Sequence, residues 1–190
     1  MTSTSPPVSP EGGSGRTDRA RTALACFGLD PVSPPPARGA YVPMQVTGTV
    51  GWVSGVTGRR ADGPGPIGAV GDTLTVDDAR HAARRAAANL LAAIADTVGL
   101  DALDGLGHLR GYVRAVPDFA RHPEIVDAAS DVLVAALGTE LGRHARTALG
   151  VASLPGGAVV ELDLSVHVRP GPVDDGALVG APATDRSDDA

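Results

Sequence analysis

The residue pattern predicts an α+β fold: a single sheet with two helices packed on one face. Three observations predict it. Residues 76–98 place Val76, Ala79, Ala83, Ala86, Leu90 and Ala93 beside Ala87, Leu91, Ile94 and Val98, a broad apolar stripe of helical period. A second helical run places Ile125, Ala129, Val132, Leu133 and Ala136 on one side. Short β-rich runs precede, separate and follow these helices, giving the order helix, hairpin, helix, strand, helix, hairpin.

The elements follow in order. Residues 1–16 are rich in Ser, Pro and Gly with no apolar run, and predict a disordered tail. Residues 17–28 predict a short helix, with Thr17 as its cap, Ala20, Leu24 and Phe27 on one side, and Gly28 as its stop. Pro34, Pro35 and Pro36 predict an extended connector. Residues 41–46 and 49–56 flank Gly48 and read as a hairpin. Residues 59–71 are rich in Gly and Pro and read as a loop. Thr75 and Asp78 are spaced as a capping box for the long helix, and Gly99 stops it. Arg80, Arg84 and Arg85 are expected in solvent. Residues 108–116 alternate as a strand. Pro123 suits the first turn of the second helix, and Gly138 its end. Residues 146–154 and 159–168 read as two strands joined through Pro155, Gly156 and Gly157. The domain is thus expected over residues 17–169, with an acidic disordered tail at 170–190.

Composition narrows the function. The chain has 190 residues and a formal net charge of −6. All 16 basic residues are arginine. With no lysine there is no Schiff-base nucleophile and no P-loop lysine. The acidic balance, with 3% aromatic residues and no basic stripe, argues against a nucleic-acid partner. Cys26 is the one cysteine, so no internal disulfide or cysteine metal site forms, and its expected role is a small buried apolar residue. His81, His108, His122, His144 and His167 show no metal-ligand spacing, and the glycines no dinucleotide fingerprint, so no cofactor or metal is expected. No leader-like run and no bilayer-length apolar segment is visible, which predicts a cytoplasmic protein without a membrane partner.

Five stretches, in register over residues 37–168, resemble the RidA/YjgF family. Gly39-Ala40-Tyr41 resembles its Gly-Pro-Tyr approach to the first strand. Trp52-Val53-Ser54-Gly55 resembles its Tyr-Val-Ser-Gly second strand. Pro117-Asp118-Phe119 resembles the Asp-Phe pair before its second helix. Ala145-Arg146-Thr147 through Leu154-Pro155 resembles its signature strand, and Val160-Glu161-Leu162-Asp163 its last strand. The leading helix and the wording around Arg146 mark a divergent branch. The resemblance implies a chorismate-mutase-like fold and a homotrimer with a cleft between each pair of subunits. It also implies hydrolysis of a reactive 2-imino or enamine acid to a 2-oxo acid and ammonium.

Such a substrate carries a carboxylate beside a C=N carbon. A guanidinium grips a carboxylate with two parallel charge-assisted hydrogen bonds. Arg146 matches the family's carboxylate-binding arginine; the ordinary alternative is a surface ion pair. Hydrolysis also needs a positioned, partly deprotonated water. Glu161 matches the family's glutamate, its alternative being a plain strand charge, and Asp163 shares its face. Tyr41 and Ser54 match cleft-lining positions: Tyr41 could position the water or cover the substrate, and Ser54 and the Gly55 backbone could donate hydrogen bonds to it, while His144, two before Arg146, could touch the substrate. The family's cysteine two residues after the arginine is Ala148 here. Its glutamine after Ser-Gly is Val56, and its early-helix asparagine falls near Pro123. The expected pocket is less polar and suits a bulkier ligand. The competing readings are a non-catalytic module that binds a small carboxylated metabolite and a cyclase or isomerase acting on an imine.

Overall fold

The computed structural model describes residues 15–29, 39–60 and 62–170. Of the tails expected at residues 1–16 and 170–190, residues 1–14 and 171–190 lie outside the described residues, as does the Pro34–Pro36 connector; Gly15 and Arg16, expected in the tail, open the first helix instead.

Among the described residues, three α-helices and one five-stranded sheet make up the domain: α1 (Gly15–Cys26), β1 (Met44–Thr47), β2 (Val50–Thr57), α2 (Val76–Thr97), β3 (Leu103–Arg114), α3 (His122–Gly142), β4 (Ala145–Val151) and β5 (Val160–Val168). The predicted α+β class and the placement of both long helices on one face hold. Thr75 caps α2 as expected. Its hydroxyl accepts from the Asp78 amide, and the Asp78 carboxylate accepts from the Thr75 amide at 2.9 Å. Pro123 occupies the first turn of α3. Gly138 breaks that helix at φ 82 and ψ 165, a conformation that favours glycine, and one more turn follows.

The sheet order is β1-β2-β5-β3-β4, which corrects the expected terminal hairpin. β4 pairs parallel with β3 (Leu109 opposite Arg146), because α3 carries the chain back across the sheet before β4 begins. β5 then runs antiparallel between β2 and β3. Pro155–Gly157 forms a 3-10 turn on that path, not a hairpin turn between β4 and β5. The pattern around Arg146 and Glu161 shows that each lies in a strand, but pairing depends on the crossover.

The core lies between the sheet and α2 and α3. Ala79, Ala83, Ala86 and Ala93 from α2 and Ala128, Ala129 and Ala136 from α3 are buried against Leu90, Ile94, Ile125, Leu133, Leu109, Leu162 and Leu164. Small side chains on both helices let the backbones approach and leave the larger leucines to fill the gap to the sheet. α1 packs on α3 through Ala20 and Leu24. Arg16 ties it down, donating to the carbonyls of Leu100, Asp101 and Leu103 at 3.3, 3.1 and 2.7 Å.

Two expectations are corrected here. Arg85 is 4% exposed, not solvated. Arg84 sits 5.8 Å above the ring of Phe27, which lies just past α1, and Arg80 reaches Glu124 of α3 at 3.8 Å. Cys26 is exposed, because α1 ends at that residue and turns Ala20 and Leu24 inward instead. Among the described residues, no helix is long and apolar enough to cross a membrane.

Candidate functional site

The residues singled out from the sequence separate into two groups on opposite faces of the sheet.

The first group lines an open cleft of about 590 Å³ at the end of β2 and the start of β5. Tyr41, Ser54, Gly55 and Glu161 all line it. Strand alternation explains Glu161: Val160, Leu162 and Leu164 point into the core, so Glu161 and Asp163 point to the open face. β2 is irregular between Val53 and Val56, and that irregularity turns Ser54 and Gly55 toward the cleft. Gly55 makes room for the acid. A Cβ at position 55 would collide with the Glu161 carboxylate. The Ser54 hydroxyl donates to the Val42 carbonyl at 2.7 Å, and the Ser54 amide donates to the Pro43 carbonyl at 2.9 Å. Ser54 therefore fixes the segment that follows Tyr41, and its hydroxyl meets a ligand as an acceptor. Burial raises the Glu161 pKa above the ordinary glutamate value, and the neighbouring Asp163 charge adds to the rise. A carboxylate shifted in this direction holds and releases a proton closer to neutral pH.

The second group lies between β4 and α3. Arg146 Nη1 donates to Asp127 Oδ1 at 2.6 Å and to Ser130 Oγ at 3.1 Å. His144 Nδ1 meets the Gly142 carbonyl at 2.7 Å, and its Nε2 meets Ser130 Oγ at 3.0 Å. A carbonyl only accepts, so Nδ1 carries the proton. Nε2 of the neutral ring then accepts from the Ser130 hydroxyl. The result is a directed chain: Arg146 donates to Ser130, Ser130 to His144, and His144 to Gly142. Burial lowers the His144 pKa, opposed by the Gly142 hydrogen bond and helped by the Arg146 charge.

Arg146 and Glu161 thus do not meet within one chain. Arg146 faces α3, whereas Glu161 faces away from the helices. β3 also lies between their strands, so two strand spacings, roughly 10 Å, separate them laterally. Sequence reasoning missed three residues. Asp127 and Ser130 stand three apart on α3, one helical turn, but nothing in the sequence says that this turn faces Arg146. Arg59 lines the cleft with Glu161, and it sits in a Gly/Pro-rich stretch that carries no periodic signal.

A single sheet with its helices packed on one face matches the YjgF fold. The E. coli YjgF gene product superposes on this chain with a TM-score of 0.52 at 21% identity, covering 72% of this chain and 94% of that one. The Agrobacterium tumefaciens protein Atu1372, of unknown function, superposes with a TM-score of 0.75 at 32% identity, covering 82% of this chain and 96% of that one. In sequence, Protein TCP17 of Trypanosoma cruzi is 35% identical over 130 residues, 68% of this chain and 81% of TCP17. No family model matches the chain. The chain is thus related to TCP17 and to Atu1372, and it shares the fold of the YjgF proteins.

Proposed function

We propose that this protein hydrolyses a reactive 2-imino or enamine acid to a 2-oxo acid and ammonium, in the cytoplasm, in clefts shared between subunits of a homotrimer. The observation that carries the reading is Glu161: a partly buried carboxyl of raised pKa, seated against Gly55 in a cleft with Tyr41 and Ser54.

The chemistry divides between the two faces. Arg146 of one subunit holds the substrate carboxylate, with Ser130 and His144 orienting the guanidinium. Glu161 of a neighbouring subunit takes a proton from water as the oxygen bonds to the imine carbon. The C=N π pair moves to nitrogen, which enters already protonated as the iminium, and a carbinolamine forms. Glu161 passes the water proton to that nitrogen, then takes the hydroxyl proton as the C=O forms and the C–N bond breaks; the departing ammonia takes that proton from Glu161 and leaves as ammonium. An enamine enters the same path after protonation at its carbon. No oxidant or external acceptor is needed.

The pair between Arg146 and Asp127 favours a second reading. A guanidinium already holding a carboxylate can bind a small acid by exchange without any turnover, as a binding module does. The experiment is single-turnover release of oxo acid from enzymatically generated imino acids. The deaminase reading expects release well above the buffer rate, lost in Arg146→Ala and in Glu161→Gln. Release at the buffer rate, with small acids still bound in calorimetry, supports the binding module instead.

A further inference from the structure

The cleft that holds Glu161 contains a cation of its own. Arg59 and Glu161 are its charged lining residues among the described ones, and they stand in the same cavity with Tyr41. The site proposed above already has a guanidinium for the substrate carboxylate, Arg146, delivered from the opposite face of another subunit. Arg59 is therefore a second guanidinium, placed on the Glu161 side.

The Arg59 backbone is held firmly. Asn89, 1% exposed on α2, donates through Nδ2 to the carbonyls of Thr57 at 2.9 Å and Arg59 at 3.0 Å. The exit of β2 is thus pinned to the longest helix, and the arginine stem starts from a fixed point. Arg59 engages another group of the chain in the ligand-free protein, so a ligand acts on it by exchange. The cavity, about 590 Å³, lies within the ~300–1,000 Å³ range of small-molecule sites, which leaves space beyond a reacting C=N group and its carboxylate.

We infer that Arg59 is a specificity residue that binds a second acidic group on the ligand, so that the preferred substrate is a dicarboxylic imino acid. This inference rests on the proposed function. One carboxylate pairs with Arg146, the distal one with the planar fork of Arg59, and the C=N carbon lies between them beside Glu161. A charge-assisted pair in a partly enclosed cleft discriminates against a ligand that lacks the second acid, because the guanidinium then gains no new partner.

The test uses product-like 2-oxo acids of equal chain length in calorimetry: 2-oxoglutarate against 2-oxopentanoate. The full chain is expected to prefer the dicarboxylate by about tenfold or more. Arg59→Gln should collapse that ratio toward one, and Arg59→Lys, which keeps the charge and loses the fork, should retain part of it. Arg146→Gln should weaken both acids and keep the ratio. Thermal midpoints of each variant show whether it is folded, and the lysine variant carries the test if the glutamine variant is not. If the two acids bind equally, or the ratio survives Arg59→Gln while Arg146→Gln weakens both, the inference is wrong and the proposed site stands. If neither acid binds, or Arg146→Gln changes nothing, both fail.

Discussion

Gly55→Ala is the sharpest single test of how the cleft is built. The residue is not among the glycines with positive φ, so alanine fits the backbone and the effect is purely steric. The added methyl would occupy space now taken by the Glu161 carboxylate. That carboxylate ends a flexible side chain, so the side chain moves and the strand does not. Driving it off its rotamer costs about 0.5–1.5 kcal/mol. Replacing glycine by alanine within a strand returns roughly 0.5–1 kcal/mol. The net change in stability is within about 1 kcal/mol, a shift of no more than roughly 2–4 °C in Tm for a domain of this size. Catalysis has no such compensation. A misplacement of about 1 Å at a reacting group costs on the order of 10²-fold in rate. The assay is oxo-acid release from imino acids alongside thermal unfolding, for Gly55→Ala, Glu161→Gln and the double variant. The expected pattern is a folded Gly55→Ala protein with kcat reduced about 10²-fold, and a double variant no worse than Glu161→Gln, because both changes remove one function. A folded Gly55→Ala protein that keeps full activity, beside an inactive Glu161→Gln, would refute the argument that position 55 sets the carboxylate.

Two further outcomes follow from buried polar groups. Asn89→Ala removes both hydrogen bonds to the β2 exit, which should cost about 1–3 kcal/mol in urea unfolding. His144 sets a pH dependence. Its folded-state pKa lies below the unfolded value of about 6.5, so its contribution to stability is complete above that pH and is lost as pH falls through the window beneath it. Thermal unfolding at pH 7.5 and 5.5 should show a Tm drop about 1–3 °C larger in the native protein than in His144→Gln, because protonation puts a hydrogen on Nε2 where the Ser130 hydroxyl now donates. Equal drops would show that the ring titrates without consequence.

The helices were legible because each carries its own evidence. The Thr75–Asp78 box, the alanine stripe of α2 and the break at Gly138 are local features that need no partner. The strands around Arg146 and Glu161 were legible as strands but not as neighbours. A reading by loop length joins β4 to β5 across Pro155–Gly157, whereas the parallel pairing of β4 with β3 follows from the α3 crossover. Arg80 and Arg84 differ from expectation for the same reason: what a helix arginine meets depends on the segments that pack beside it, here Glu124 and Phe27. The cleft residues Tyr41, Ser54, Gly55 and Glu161 were found through resemblance, and the structure does bring them together. Arg59, Asp127 and Ser130 were not found, because a charged side chain in a loop or on a helix looks like solvated surface until its partner is placed.

The opposite faces of Arg146 and Glu161 make a quantitative statement about assembly. Neither residue can reach the other through the sheet, so a site using both takes them from two chains. The open face offers the surface for this: Trp52 is 48% exposed on β2 and Leu149 is 50% exposed on β4, apolar side chains with no helix above them. Suppose Arg146→Gln and Glu161→Gln are each inactive. Co-refolded in equal amounts, they would form, if the proposed trimer is right, mixed rings in which a cleft is intact only when one variant supplies Arg146 and the other supplies Glu161. Random assortment makes this about one cleft in four, so about a quarter of the native activity should return. Sites built within single chains return none. The number is set by counting alone, independent of substrate and of how tightly the ring is held, provided the chains mix. Recovery near a quarter requires both that the two residues act together and that they act across a subunit boundary. No recovery from mixed rings of native-like mass would mean that the faces work separately.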